Sequence, residues 1–110
     1  MGGLVKGDVV IVPFPYSDLS TTKRRPALIV TAPPGRDIIA AQITSRPRSD
    51  PYAVVLTRQD FATGGLRQDS YIRPTILFTL DPVIVLRLVG NLTAGKMQEV
   101  TDKLVLIFTT

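Results

Sequence analysis

Short apolar runs rich in valine and isoleucine recur along the chain, and turns containing proline or glycine separate them. Such runs favour buried strands, because β-branched side chains pack well on a pleated surface. The pattern predicts strands at 9–12, 27–31, 37–44, 52–57, 70–72, 75–80 and 83–89, with one helical turn at 59–61. Pro13 is expected to end the first strand, and Gly90-Asn91 to close the last one. Short strands with hairpin-like connections indicate a small, strongly curved, mostly antiparallel sheet or barrel.

The C-terminal segment follows a different period. Met97, Val100, Leu104 and Ile107 recur every three or four residues, which predicts one apolar face of an α-helix. Thr93 precedes this pattern and is a residue type preferred at helix N-caps. The sequence therefore predicts a mainly β fold with a single C-terminal helix packed on the sheet.

The chain contains no cysteine and no histidine. Zinc sites depend on these residue types, and most other transition-metal sites use histidine, so neither a metal nor another cofactor is expected. The lack of cysteine suits a reducing cytoplasm. No signal peptide and no apolar segment long enough to span a membrane is recognisable, so a cytoplasmic location is expected. A length of 110 residues predicts one domain over 1–110.

Arginine dominates the positive charge of the chain. The net charge is +4, and nine of the thirteen basic residues are arginines. A basic domain of this kind has either an ordinary solvated surface or a polyanionic partner. The placement of the arginines favours the partner, because many lie in or beside predicted loops: Arg24, Arg25, Arg46, Arg48, Arg67 and Arg73.

Three of the cations stand together in Lys23-Arg24-Arg25-Pro26, directly before the apolar run 27–30. A guanidinium donates hydrogen bonds in a fixed planar fork that matches a phosphate group. Pro26 restrains the residue before it to extended geometry, so it gives the Arg25 side chain a reproducible direction. Arg25 is therefore the first candidate for acting on a phosphate.

With this cluster the chain resembles a known family. The segments 7–10, 13–14 and 23–30 resemble the opening of the MazF/PemK toxins, and Gln42-Ile43-Thr44-Ser45 is similar to that family's second motif. Gly64-Gly65-Leu66, Asp69-Ser70, the stretch 73–81 and the final helix follow in the family's order. The resemblance covers essentially the whole chain.

The resemblance implies a compact SH3-like barrel with a C-terminal helix that works as a homodimer. It also implies an endoribonuclease of a type II toxin–antitoxin module, which cuts single-stranded RNA without a metal. A cognate antitoxin would neutralise the enzyme by laying its C-terminal segment over the site.

The same resemblance supplies site residues. Arg25 matches the arginine before the family's proline, and Thr44 matches its threonine after the third strand; both are expected to be catalytic. Arg25 would stabilise negative charge on the transition state, and Thr44 would bond a phosphate oxygen. Residues expected to contact RNA are Tyr16, Asp18, Lys23, Arg24, Gln42, Ser45, Arg46, Arg48 and Ser70.

One departure from the family keeps other functions open. Some members carry a glutamate in the loop before the Arg-Pro pair, whereas segment 17–22 of this chain offers only Asp18 as an acid. Three explanations are open: Asp18 takes the place of the glutamate, another group supplies the base, or the activity is reduced. The alternatives are a non-catalytic RNA-binding barrel or inactive toxin homologue and, ranked lower because the chain lacks tryptophan, a gyrase poison of the CcdB type.

Overall fold

The structure is a computed structural model that describes residues 3–14, 23–46 and 49–110. Its strands are β1 (Asp8–Phe14), β2 (Lys23–Thr31), β3 (Ile38–Thr44), β4 (Val54–Leu56), β5 (Phe61–Gly64), β6 (Ser70–Leu80) and β7 (Arg87–Leu92). Short 3₁₀ turns lie at Arg58–Asp60 and Pro82–Ile84, and the helix α1 spans Ala94–Phe108.

The seven strands form one antiparallel sheet in the order β4-β6-β3-β2-β1-β7-β5. Twist and register shifts curl this sheet into a half-barrel, with α1 at the C-terminus. Both faces carry buried apolar side chains. One core includes Val9, Leu28 and Ile43 together with Val100 of α1, and the other includes Val10 and the alternate residues of the same central strands. The expected mainly β fold with a C-terminal helix is confirmed.

Helix α1 forms where the sequence predicts it. The Thr93 hydroxyl accepts a hydrogen bond from the N–H of Lys96 at 3.2 Å, so Thr93 is the N-cap. Met97 and Val100 are buried against the sheet, and Leu104 packs beside them. Burial of a side chain of this size contributes about 1.5–3 kcal/mol relative to exposure. The apolar stripe therefore fixes the helix on the sheet.

Prolines do not end strands at the positions that the sequence suggests. β1 continues past Pro13, and β2 begins at Lys23, so the cation cluster lies in a strand and not in a loop. The Ile11 carbonyl accepts a hydrogen bond from the N–H of Leu86, so the backbone groups of Ile11 point toward β7. These directions alternate along a strand, so the backbone of Pro13 also faces the β7 side. Pairing with β7 stops at Ile11, so no strand among the described residues lies beside Pro13 on the side that its missing N–H faces.

Four further differences from the predicted strands concern β4, β5, β6 and β7. Segments 70–72 and 75–80 form the single strand β6, because Pro74 sits at a register shift against β3 and beyond the end of β4. β5 was not predicted, and β4 is shorter than expected. Segment 83–89 begins in a 3₁₀ turn, and β7 runs through Gly90-Asn91 to Leu92. Within the part of the chain that the structure describes, no helix is long and apolar enough to cross a membrane.

Candidate functional site

A cleft of about 380 Å³ opens where two pairs of strands separate. β2 pairs with β3 only from Ala27 onward; before that point β2 follows β1, while the end of β3 follows β6. Arg24, Arg25 and Pro26 line one side of the opening, and Ile43, Thr44 and Ser45 line the other. Divergence of the sheet therefore brings the two principal sequence motifs to one cleft.

Pro26 explains why the strands separate here. The N–H of Gly7 donates to the Ile29 carbonyl at 2.9 Å, so Ile29 directs its backbone groups toward β1. The direction of the backbone groups alternates along a strand, so the backbone of Pro26 faces β3. Proline has no N–H, so Pro26 cannot donate a hydrogen bond to that strand. The ladder between β2 and β3 stops at the next residue, the pair Ala27 and Gln42.

Arg25 and Thr44 stand across this opening from one another. Continuing the register of Ala27 with Gln42 by two residues puts Arg25 opposite Thr44. Arg25 is half-buried, and its backbone is held by pairing with Val12 of β1. The two residues expected to be catalytic thus belong to one cleft, on neighbouring strands.

The Thr44 hydroxyl is oriented by the turn that follows β3. It accepts from the N–H of Arg46 at 3.1 Å, and its contact as donor to the Arg46 carbonyl is 3.3 Å. An O–H···O bond is usually 2.5–3.0 Å long, so this second contact is weak. The Thr44 hydroxyl can therefore give up this weak bond and donate to a phosphate oxygen instead, at small cost.

The far side of the cleft contains residues that were not predicted from the sequence to belong to the site. Arg67 and Gln68 come from the segment between β5 and β6, and Arg87 comes from the start of β7. Arg87 interrupts an apolar run, and Arg67 follows the Gly64-Gly65-Leu66 motif; these two signals could have identified them. The floor is partly apolar, formed by Ile11, Ile43, Leu66 and Val89.

Ser45 and Ser70, both expected to contact RNA, line the cleft. Ser70 is buried, and its hydroxyl donates to the Gln68 carbonyl at 3.0 Å. This bond supports the segment that carries Arg67.

The remaining candidates are not among the cleft-lining residues or are not described. Lys23 and Arg46 are exposed and Gln42 is half-buried, and none of the three is among the cleft-lining residues that the structure describes. Tyr16, Asp18 and Arg48 lie outside the described residues.

Positive charge is concentrated in the cleft. Four arginines line it, which we call the cleft arginines: Arg24, Arg25, Arg67 and Arg87. No Asp or Glu is among the described lining residues, and no cleft arginine forms an ion pair with a described residue. A cleft lined by charges of one sign raises the local concentration of ligands of the opposite sign, here anions. The described residues include no group of three or more acidic side chains that could hold a metal ion.

Arg73 differs from the cleft arginines. Its Nε lies 2.9 Å from Oδ2 of Asp50, whose side chain is 5% exposed. Burial raises the pKa of the Asp50 carboxyl, but the hydrogen bonds from Arg73 and the Tyr52 N–H, with the charge of Arg73, leave that pKa below its usual value. This pair ties the segment after β3 to β6.

Comparison by sequence gives a family match over nearly the whole chain. The family model of the PemK-like, MazF-like toxins of type II toxin–antitoxin systems matches residues 5–108. Among curated proteins, none matches the sequence.

Solved structures share the fold at low sequence identity. An endoribonuclease in complex with its cognate antitoxin, from a mycobacterial species, gives a TM-score of 0.78 at 19% identity, covering 97% of this chain and 96% of that chain. The MazE–MazF structure (form III) from Deinococcus radiodurans gives 0.75 at 20% identity, covering 99% of both chains. The Mycobacterium tuberculosis toxin MazF-mt6 gives 0.72 at 24% identity, covering 93% of this chain and 96% of that chain.

Proposed function

The chain belongs to the PemK-like, MazF-like toxins of type II toxin–antitoxin systems, and on this basis we propose that it is a metal-independent endoribonuclease that cuts single-stranded RNA. One observation carries the proposal: Arg25 and Thr44 lie on neighbouring strands at the mouth of a cleft lined by four arginines. A cleft of this charge suits a phosphodiester backbone.

The proposed reaction uses the RNA's own 2′-hydroxyl as nucleophile. The 2′-oxygen attacks the adjacent phosphorus, and the bond to the 5′-oxygen breaks, which leaves a 2′,3′-cyclic phosphate and a 5′-hydroxyl. Negative charge builds up on the phosphoryl oxygens during this step. Arg25 stabilises that charge through its fixed fork of donors, and Thr44 donates to a phosphoryl oxygen.

Protons must also move in this reaction. Arginine stays protonated at neutral pH, so Arg25 is suited to electrostatic stabilisation and not to acting as a base. Asp18 is the carboxylate that the sequence offers as a base to take the 2′-hydroxyl proton, and it lies outside the described residues. The leaving 5′-oxygen then takes up a proton, from the protonated base or from water, to give the 5′-hydroxyl. The proposal therefore rests on Arg25 and Thr44.

Partners follow from the family. One similar structure is an endoribonuclease in complex with its cognate antitoxin, and another is MazE–MazF. We expect this chain to bind a cognate antitoxin over the cleft, and to act as a homodimer of one-domain protomers in the cytoplasm.

The test is cleavage of single-stranded RNA by the purified protein in the presence of EDTA. We expect products that end in a cyclic phosphate, and an Arg25→Ala variant that cleaves about 100- to 1,000-fold more slowly, the usual cost of losing one donor to the transition-state charge. Arg25→Lys keeps the charge without the fork and should be intermediate.

Arg58→Ala is the matched control, because Arg58 is exposed and lies outside the cleft. Cleavage by Arg25→Ala at the parent's rate would refute the assignment. RNA that is bound but left intact would favour a non-catalytic RNA-binding barrel, and trapped DNA–gyrase complexes would favour a gyrase poison.

A further inference from the structure

Two of the cleft arginines come from parts of the chain far from the Arg24-Arg25 pair. Arg87 is the first residue of β7, and Arg67 lies in the segment that connects β5 to β6. Both side chains are exposed, and neither forms an ion pair with a residue that the structure describes. Both guanidinium groups are therefore open to a ligand in the cleft.

The register of the sheet gives the distance between the two sides. Arg87 pairs with Ile11 of β1, and Ile11 pairs with Pro26 of β2. The three residues lie level across adjacent strands, and side chains directly opposite one another in antiparallel strands share a face. Since neighbouring strands are about 4.8 Å apart, the backbones at Arg87 and Pro26 are separated by about 10 Å. Ile11 forms the apolar floor between them.

Backbone hydrogen bonds hold this far side in place. The N–H of Leu86 donates to the Ile11 carbonyl at 2.8 Å, which attaches the start of β7 to β1. The N–H of Gly65 donates to the Val89 carbonyl at 3.1 Å, which attaches the segment carrying Arg67 to β7. Arg67 and Arg87 are thus presented from a fixed scaffold across the cleft from Arg24 and Pro26, while Arg25 and Thr44 stand at its mouth.

We propose that Arg67 and Arg87 bind a second phosphate, the one next to the phosphate that Arg25 and Thr44 act on; the inference rests on the proposed function. Guanidinium groups on two sides of a cleft this wide suit two consecutive phosphates of one strand. With both phosphates bound, the nucleotide between them lies over the apolar floor. Arg67 and Arg87 are then binding residues that hold the strand in register.

Binding is measured with a fluorescein-labelled 2′-deoxy oligonucleotide of mixed sequence, which lacks the 2′-hydroxyl and stays intact during titration. The logarithm of the association constant falls with the logarithm of salt concentration by about 0.7 for each phosphate contact to a single strand. Because the two arginines share one phosphate, the double variant Arg67→Ala/Arg87→Ala should make the slope shallower by about 0.7, and each single variant should make it shallower by less. Each should also weaken binding about tenfold at low salt, as expected for losing a hydrogen bond to a charged group.

Further variants distinguish the effect of the positive charge from that of the guanidinium fork and from a loss of the fold. Arg87→Lys should keep the parent's salt slope but bind more weakly, because lysine retains the charge without the fork. Arg58→Ala should match the parent in slope and affinity. With RNA as substrate, Arg67→Ala and Arg87→Ala should raise KM more than they lower kcat, whereas Arg25→Ala should lower kcat. Thermal melting of each variant shows that the fold is retained.

An unchanged slope in the double variant, with a parent that binds, would overturn the inference. A parent that binds the oligonucleotide but cuts no RNA would refute the proposed cleavage, and the slopes would still decide the role of Arg67 and Arg87. A parent that neither binds nor cuts would overturn both.

Discussion

At the scale of single residues, the arginines of this protein differ in what faces them. Arg73 lies 2.9 Å from the buried Asp50 and stabilises local structure, whereas Arg36 lies 3.0 Å from Asp81 in an exposed pair that contributes little. The cleft arginines face no carboxylate among the described residues, and their charge is available to a ligand. The sequence alone does not separate the two kinds, because Asp50 and Arg73 are 23 positions apart.

The Asp50–Arg73 pair makes stability depend on pH. Asp50 has a lowered pKa in the folded state, so its stabilising contribution is complete above the unfolded pKa of about 3.9. That contribution is lost as pH falls through the lower, folded value. At pH 7, Asp50→Asn should reduce the free energy of unfolding by about 1–3 kcal/mol. Urea unfolding at stepped pH should show this difference shrinking below about pH 4.

Asp37→Asn is the control for this series, because Asp37 is exposed and forms no ion pair with a described residue. It should follow the parent at every pH. A difference between parent and Asp50→Asn that stays constant down to acidic pH would show that the carboxylate charge is not what stabilises this contact.

At the scale of secondary-structure elements, Gly90 sets how closely β5 approaches β7. Gly90 is buried, and a methyl group on it would lie 2.6 Å from the Thr63 carbonyl oxygen and 2.7 Å from Cδ2 of Phe61. Gly90→Ala should therefore displace β5 and lower the free energy of unfolding by about 1–3 kcal/mol. Thermal or urea unfolding measures this loss.

Gly65→Ala serves as the matched control, since no atom of the described residues lies within 4 Å of a methyl group placed there. It should change the free energy of unfolding by less than about 0.5 kcal/mol, as surface substitutions usually do. If Gly90→Ala were as stable as Gly65→Ala, the close approach of β5 to β7 would be refuted.

Elements that depend on local signals were predictable from the sequence. Helix α1 has a 3.6-residue period and a threonine N-cap, both of which are readable along the chain. The predictions that strands end at Pro13 and Gly90 were wrong. The effect of a proline or glycine on a strand depends on which strand lies beside it, and the sequence alone does not show this. The same reason limits the site. Arg25 and Thr44 were found from motifs, whereas the place of Arg87 depends on β7 pairing with β1.

At the scale of the whole molecule, the net charge of +4 is modest for a nucleic-acid-binding protein. What distinguishes this chain is that four arginines share one cleft, while several carboxylates are used in the scaffold. Asp8, for example, is buried and accepts from Val5 and Asn91. The fold thus keeps these negative charges within hydrogen-bonded structure and leaves the positive charge of the cleft unneutralised.

This distribution predicts how salt dependence changes with the length of the nucleic acid. A short single strand with four phosphates can neutralise at most the four cleft arginines of one protomer, which limits its salt slope to about −3. A homodimer offers a second cleft, so a longer strand that crosses both should show a slope steeper than this limit, up to about twice as large. Fluorescence anisotropy with 2′-deoxy oligonucleotides of both lengths measures the two slopes, and sedimentation equilibrium gives the oligomeric state under the same conditions. Equal slopes for a dimeric protein would mean that one strand engages one cleft, and that the partner protomer adds nothing to phosphate binding.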